Sequence, residues 1–271
     1  MIPLSAVIIT RDAATQLLPC LESLAFCAEI LVVDSGSTDG TVEIARRHGA
    51  RVIETHWRGF GPQKQFAVEQ AANDWVLCVD ADERVGAGLA DGIRAVPPAP
   101  TSPQGAGRHA VAVPSSARDG ATPHTFAAYR FARCNRFMGR YLRHGEGYPD
   151  WSLRLFDRRR AHWSADAVHE RVVTDGPVGT LAGDLLHDSA ESLENYLAKQ
   201  NRYSTLAANA ALAAGKRGSA ARLLLSPLSR FIKFYFLRAG FLDGVPGLVH
   251  ILIGCHASFA KHAKMLAAGR G

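Results

Sequence analysis

The stretch "WVLCVDADER", residues 75 to 84, runs an apolar segment into three carboxylates, Asp80, Asp82 and Glu83. Like charges this close repel, and in an extended chain the two-residue period puts Asp80 and Asp82 on the same side. A divalent cation resolves the conflict. Mg2+ or Mn2+ is held by one or two carboxylates plus the oxygens of a phosphate-bearing ligand, so the pair points to a metal-bridged diphosphate. An isolated Asp-x-Asp is also what a helix cap or a solvated loop looks like, so the surroundings decide. Glu83 either supports the neighbouring carboxylates from behind or forms the first turn of the next helix, and the helix turn is the favoured reading. Two further polar clusters follow apolar runs in the same way: Thr10-Arg11-Asp12 and Asp34-Ser35-Gly36-Ser37.

These clusters need a scaffold that gathers strand ends. Leu4 to Thr10 reads as a strand, followed by a helix with Leu17, Leu18, Leu21 and Leu24 on one face. Then come the strand "EILVVDS", the helix "DGTVEIARRHG", the strand "RVIETH", the helix "GPQKQFAVEQAA" and the strand "DWVLCVD". Strict alternation of this kind predicts βαβ units and a parallel sheet with helices on its faces. Ligands of such sheets bind outside the carboxyl ends of the strands, where all three clusters fall.

From Pro97 to Thr125 the composition shifts to Pro, Gly, Ala and Ser, which marks a loop or insertion. Beyond it "AYRFARCNRF", "LRLFDRR" and "HERVVT" read as shorter strands, and 191–212, 220–237 and 245–266 as helices. Four segments result: a ligand-binding half (1–96), the insertion (97–125), a second half (126–190) and C-terminal helices (191–271).

A chain of 271 residues with 47% hydrophobic content can bury one substantial core. Its five cysteines are odd in number and show no CxxC spacing, which favours reduced thiols and a cytoplasmic protein. The N-terminus lacks the basic segment and cleavage site of a signal peptide. The longest apolar stretch, Val245 to Ala260, is interrupted by Pro246, His250 and His256, and no spanning helix is expected. The formal charge of +6 hides an asymmetry: from Lys199 onward there are eleven Lys and Arg against one acid, Asp243. Mixed with "FIKFYFLRAGF", that charge reads as a peripheral membrane-surface element or as the solvated face of ordinary core helices. No nucleic-acid-binding motif is present.

"VVDSGSTDGT", with "VDAD" further on at the end of an apolar strand, resembles the nucleotide-sugar-binding half of inverting glycosyltransferases with the GT-A fold. "WRGFGPQKQFAVEQA", "YRFARCNRFMGRYLRHGEGYPDWSLRLFDRR", "VHERV", "GPVGTLAGDLLHDSAESLENYLAKQNRYSTLAA" and "KFYFLRAGFLDG" are similar to the bacterial lipopolysaccharide core glucosyltransferases that act on the inner core heptose. The resemblance covers nearly the whole chain except 97–125. It implies an α/β GT-A fold with a C-terminal helical, membrane-associating segment. It also implies a metal-dependent transfer of glucose from UDP-glucose, with inversion, to a lipid-anchored anionic glycan at the cytoplasmic face of the inner membrane. The alternatives are another UDP-sugar with a capsule or polyprenyl-linked acceptor, and a non-catalytic scaffold of the same fold.

Position by position, the resemblance places Asp34 on the uracil ring, with Thr10, Ser35 and Gly36 lining that site. Asp80 and Ala81 fall near the ribose and metal, and Asp82 on the metal directly. Lys64 offsets the diphosphate charge or is a surface lysine. Gly145 and Gly147 of "HGEGYPDW" fall near the donor sugar, Glu170 of "VHE" is the base that takes the acceptor proton, with Asp150 as its competitor, and His187 of "LLHDS" is a late metal ligand. Asp12 and Ala13 depart from the family's Asn-Glu pair. Arg143, Arg154 and Arg158 to Arg160 either meet phosphates of an anionic acceptor or form a solvated face.

Overall fold

The computed structural model describes residues 3–96, 126–166, 170–189 and 192–268. The segment read as an insertion, 97–125, lies outside them. The described chain divides into two compact units, Met1–Phe131 with Trp151–Leu185, and Ala132–Asp150 with Leu186–Gly271.

The first unit is built on β1 (Leu4–Thr10), β2 (Glu29–Asp34), β3 (Arg51–Glu54) and β4 (Trp75–Asp80), interleaved with α1 (Ala14–Ser23), α2 (Thr41–Arg47) and α3 (Phe60–Gln70). The strands pair in parallel in the order β3-β2-β1-β4, as the alternation predicts. Continuous apolar runs suit strands covered on both faces: Leu4, Ala6 and Ile8 pack with Leu17, Cys20 and Leu21 of α1, while Val7, Leu31 and Val33 pack with Ala67 and Val68 of α3. Register sets Thr10 opposite Asp34 and Ile9 opposite Asp80, so the polar residues that end β1, β2 and β4 arrive side by side.

Past β4 come β5 (Glu83–Val85) and α4 (Ala87–Arg94), then β6 (Ala128–Phe137), β7 (Arg140–Tyr141), β8 (Asp150–Asp157), β9 (Ala161–Trp163), β10 (Val172–Thr174) and β11 (Val178–His187). The main sheet has the order β3-β2-β1-β4-β8-β6-β11-β5 with β7 beside β6, while β9 and β10 form a separate antiparallel pair. β8 runs antiparallel to β4, pairing Leu77 with Leu155 and Trp75 with Asp157, which makes the sheet mixed.

The second unit carries α5 (Leu193–Ala213), α6 (Ala220–Phe231) and α7 (Gly244–Ala268). The stretch expected to continue as helix to residue 237 is wound instead as a π-helical turn over Ile232–Leu237, followed by a 3-10 turn over Gly240–Asp243. Asp243, the lone acid of this basic region, is buried and accepts from the backbone N–H of Arg143 at 3.0 Å and of His144 at 2.8 Å.

α7 is longer than the interruptions in its sequence suggest. It is a single helix of 25 residues, and Gly240–Ala268 is long and apolar enough, by length and composition, to cross a membrane. Pro246 does not break it, because a proline in the first turn gives up an N–H that has no helical partner there. In this unit α7 packs on α5 and α6 and buries Ile251, Ile253, Cys255 and Met265.

Candidate active site

The site is centred on the end of β4. Asp80 closes the strand, and the chain turns at Ala81 and Asp82 before β5 begins at Glu83. The extended geometry that would align Asp80 with Asp82 is therefore absent, and Glu83 sits on a strand rather than on a helix. Glu83 is fully buried, with Oε2 accepting the backbone N–H of Asp80 at 2.9 Å.

Two buried cations relieve the repulsion. Lys64, from α3, lies 3.2 Å from Asp80 Oδ1, and Arg154, from β8, donates to Asp80 Oδ2 at 3.0 Å and lies 3.6 Å from Glu83 Oε1. Lys64 and Arg154 are 7% and 8% exposed, which excludes both the surface-lysine reading and the solvated-face reading of Arg154. Burial works against the charge on Asp80, but Arg154 and Lys64 outweigh it and hold the carboxyl well below the usual carboxylate range. Arg154 is in turn raised, since Asp80 and Glu83 overcome the burial that would discharge it.

Lys64 reaches one residue further. Its Nζ also donates to Glu170 Oε1 at 3.2 Å, so one ammonium bridges the Asp-x-Asp carboxylate and the expected base. Both cations lie over the indole of Trp163, Lys64 Nζ at 4.8 Å and Arg154 Cζ at 5.5 Å from the ring centroid, a cation–π contact strengthened by burial. Trp163 is fixed by its Nε1–H donating to Cys78 Sγ at 3.3 Å, and burial pushes that thiol up to about 11. All five cysteines are buried and free, as their number and spacing suggest.

Helix α3 sets the separation of these groups. Gly61 sits one turn before Lys64, and a Cβ there would overlap the Ser164 carbonyl and come within 3.3 Å of Glu170 Cβ. Only glycine lets the segment carrying Glu170 lie this close to the helix. Gly61 and Trp163 are the residues that sequence reasoning missed. Each acts through a contact between distant parts of the chain and leaves no local motif.

At the neighbouring strand end Asp34 is completely buried. Its Oδ2 accepts from Thr10 Oγ1 at 2.8 Å and from Ser37 Oγ at 2.5 Å, and its Oδ1 from the N–H groups of Gly36 at 2.9 Å and Ser37 at 2.8 Å. A carboxylate has about four acceptor positions, and all are taken. Asp34 shapes the loop here, so reading a uracil ring would require exchanging one of these bonds. Gly36 supplies the left-handed backbone (φ +86°) that the loop needs, and Ser35 Oγ accepts from buried Gln63 at 3.1 Å.

The remaining expected residues belong to the second unit. Asp150 is gripped by the guanidinium of Arg133, with nitrogens at 2.9 and 2.7 Å from Oδ2. Gly145 has φ +69°, and a Cβ on it would lie 3.1 Å from both Gly240 Cα and Ile251 Cδ1, so its glycine answers to packing. Gly147 has φ +86° beside His250. His187 Nδ1 lies 2.7 Å from Asn135 Oδ1. Among the described residues no group of three or more His, Cys, Asp and Glu is placed to hold a metal ion. The run Arg158 to Arg160 is also committed elsewhere in the first unit. Arg158 donates to the Ala71 carbonyl at the end of α3 at 2.5 Å, Arg159 pairs with Asp157 and Asp74, and Arg160 reaches the Phe126 carbonyl.

The donor chemistry of the first unit nonetheless suits a divalent cation. Around Lys64 and Arg154 stand Asp80, Glu83 and Glu170, with Asp82 in the adjoining turn, so hard oxygen donors outnumber the protein's own cations. Mg2+ and Mn2+ need only one or two such carboxylates when phosphate oxygens and water complete the shell.

With this geometry in view, the comparisons with known proteins are direct. The profile of Glycosyl transferase family 2 matches residues 5–88, the segment that carries β1 to β4 and the Asp-x-Asp turn. The chain is 33% identical over 270 residues, 97% of its length and 92% of the relative's, to the lipopolysaccharide core biosynthesis glycosyltransferase LpsC of Rhizobium meliloti. It is 30% identical over 275 residues, 97% of its length and 85% of the relative's, to an uncharacterized glycosyltransferase of Rickettsia bellii. The chain belongs to the family 2 glycosyltransferases and has their GT-A fold. Among solved structures, glucosyl-3-phosphoglycerate synthase of Mycobacterium tuberculosis, in complex with Mn2+, UDP and glucosyl-3-phosphoglycerate, aligns with 30% of this chain and 33% of its own at 26% identity and a TM-score of 0.27.

Proposed function

We propose that this glycosyltransferase moves a hexose, with glucose from UDP-glucose as the donor to test first, onto a heptose of a lipid-anchored lipopolysaccharide core, inverting the anomeric centre. The observation that carries the proposal is the position of Lys64, 3.2 Å from Asp80 and 3.2 Å from Glu170. One buried cation links the carboxylate expected beside a nucleotide diphosphate with a carboxylate suited to proton abstraction. The name of the Rhizobium relative supports the lipopolysaccharide core as acceptor.

In this reading Glu170 accepts the proton of the acceptor hydroxyl as its oxygen attacks the anomeric carbon. The bond from that carbon to the diphosphate oxygen breaks on the opposite face, through an oxocarbenium-like transition state. UDP departs with the electron pair, and Lys64 and Arg154 offer positive charge to it. Asp82, with Asp80 beside it, would hold a Mg2+ or Mn2+ ion, which when bound neutralises the diphosphate so that it leaves without a proton. Asp150 is the weaker candidate for the base because Arg133 holds it by two contacts, at 2.9 and 2.7 Å, against the single 3.2 Å contact of Lys64 on Glu170.

The C-terminal helices support docking to the cytoplasmic face of the inner membrane. Leu224, Leu225, Leu228, Phe236, Leu237 and Val245 are exposed in the same unit as exposed Arg222, Lys233 and Arg238. Apolar side chains with cations among them suit an anionic lipid surface.

The test is Glu170→Gln, which keeps the side chain's shape and removes its basicity. UDP binding should persist while transfer falls about 10²- to 10⁴-fold. Undiminished transfer would remove Glu170 from the chemistry, and no transfer by the wild-type chain from any UDP-sugar would favour a non-catalytic scaffold.

A further inference from the structure

The second unit contains a cavity of about 630 Å3 that the chemistry above does not use. Its volume is in the range of small-ligand sites, about 300–1,000 Å3. Its lining is of two kinds. Cations come from Arg133 and Arg136 on β6 and from Lys199 on α5; Arg133 is paired with Asp150, and the acid among the lining residues is Asp188. Rings come from Phe137, Tyr196 and His250, packed with centroids 5.2 to 5.8 Å apart.

Both kinds are held in place. Tyr196 Oη lies 3.0 Å from His250 Nε2, joining α5 to α7 in the lining of the cavity. Burial, followed by the charge of Arg230, lowers His250, so the ring is neutral and adds no charge of its own. Asp188 accepts from Tyr141 Oη at 2.6 Å and stands 3.6 Å from Arg136. His187 is oriented by Asn135 at 2.7 Å.

Ring faces suit the C–H faces of a sugar, and guanidinium forks suit the paired oxygens of a phosphate or carboxylate. A cavity made only for a neutral sugar would have no need of Arg136 and Lys199 on its wall beside the paired Arg133. A mere anion patch would have no need of a fixed aromatic wall.

We propose that this cavity is a subsite for an acidic sugar, one bearing a phosphate or a carboxylate. The oxyanion lies between Arg136 and Lys199, and the sugar ring lies against Tyr196 and Phe137. The proposal rests on the reading of the chain as a transferase with an anionic glycan acceptor, and assigns recognition of the acceptor's acidic sugar to the second unit.

The experiment is equilibrium binding to the full chain, followed by NMR, with mannose 6-phosphate, galacturonate, mannose and inorganic phosphate as probes. At least one acidic sugar should bind about tenfold or more tighter than both mannose and inorganic phosphate, and the better one identifies the oxyanion. Arg136→Ala and Lys199→Gln should each weaken that binding about tenfold, the loss of one charge-assisted hydrogen bond. The thermal midpoint and the titration with UDP and Mn2+ should stay at wild-type values. Tyr196→Leu should reduce sugar phosphate affinity toward that of inorganic phosphate, with circular dichroism confirming the fold.

Equal binding of mannose and the acidic sugars, equal binding of inorganic phosphate, or wild-type affinity in both charge variants would overturn the subsite. Such a result alongside intact UDP binding and transfer removes this inference alone. Absence of UDP binding counts instead against the donor site in the first unit.

Discussion

Arg154→Met tests whether buried ion pairing organises the site. The guanidinium is 8% exposed, donates to Asp80 at 3.0 Å and stands 3.6 Å from Glu83, which is 0% exposed. Methionine keeps much of the side chain's length and apolar contact but leaves two acids with one cation. Lys64 still covers Asp80 at 3.2 Å, so Glu83 is the stranded charge. Removing one partner of a buried pair costs about 3–5 kcal/mol, mostly the penalty of the charge left behind. At about 2–4 °C per kcal/mol for a domain of this size, the midpoint should fall by roughly 6–20 °C. The assay is urea and thermal unfolding followed by tryptophan fluorescence. All four tryptophans, Trp57, Trp75, Trp151 and Trp163, lie in the first unit, so the signal reports the part of the chain that holds the pair. Adding Glu83→Gln to Arg154→Met should recover part of the loss, giving a coupling energy of about 1–3 kcal/mol. A loss below about 1 kcal/mol for Arg154→Met, or strict additivity in the double variant, would refute the reasoning.

Asp80 has a folded pKa depressed by Arg154 and Lys64 despite burial, so its contribution to stability is present above its unfolded value, about 3.9, and fades as pH falls toward the folded value. The stability difference between wild type and Asp80→Asn should be constant from pH 5 to 7 and shrink below about pH 4; a difference flat through pH 3 contradicts the assignment. Asp82→Ala should remove the enhancement of UDP affinity by Mn2+, measured by titration calorimetry, and an unchanged enhancement counts against Asp82 as the ion's carboxylate. Gly61→Ala should force apart α3 and the segment carrying Glu170, lowering kcat more than it raises the Kd for UDP; equal kinetics would show that the close approach is dispensable. Leu224→Asp with Phe236→Asp should reduce sedimentation with phosphatidylglycerol vesicles while leaving the circular dichroism spectrum unchanged, and full retention would place membrane contact elsewhere.

The parallel half of the sheet is legible because each strand is an apolar run closed by polar residues, and both the runs and their order survive in β1 to β4. Asp80 is legible for the same reason. Its partners are not. Arg154 reaches Asp80 because β8 lies antiparallel to β4 with Leu155 opposite Leu77, and no spacing along the chain announces that register. The turn at Ala81 and Asp82 defeats a period-of-two argument that holds only for extended backbone. Asp34 carries the family motif, yet whether its oxygens face a ligand or a loop depends on Thr10 and Ser37 arriving together. The length of α7 is hidden by Pro246 and two histidines, which a helix packed on two neighbours accommodates.

The most direct test of the central claim is a crystal structure of the full chain with UDP and Mn2+, in which anomalous scattering locates the metal. The expected result is a manganese peak on the Asp82 carboxylate and the diphosphate, with phosphate oxygens within hydrogen-bond reach of Lys64. A nucleotide bound away from the end of β4, or a metal with neither Asp80 nor Asp82 beside it, would contradict the account.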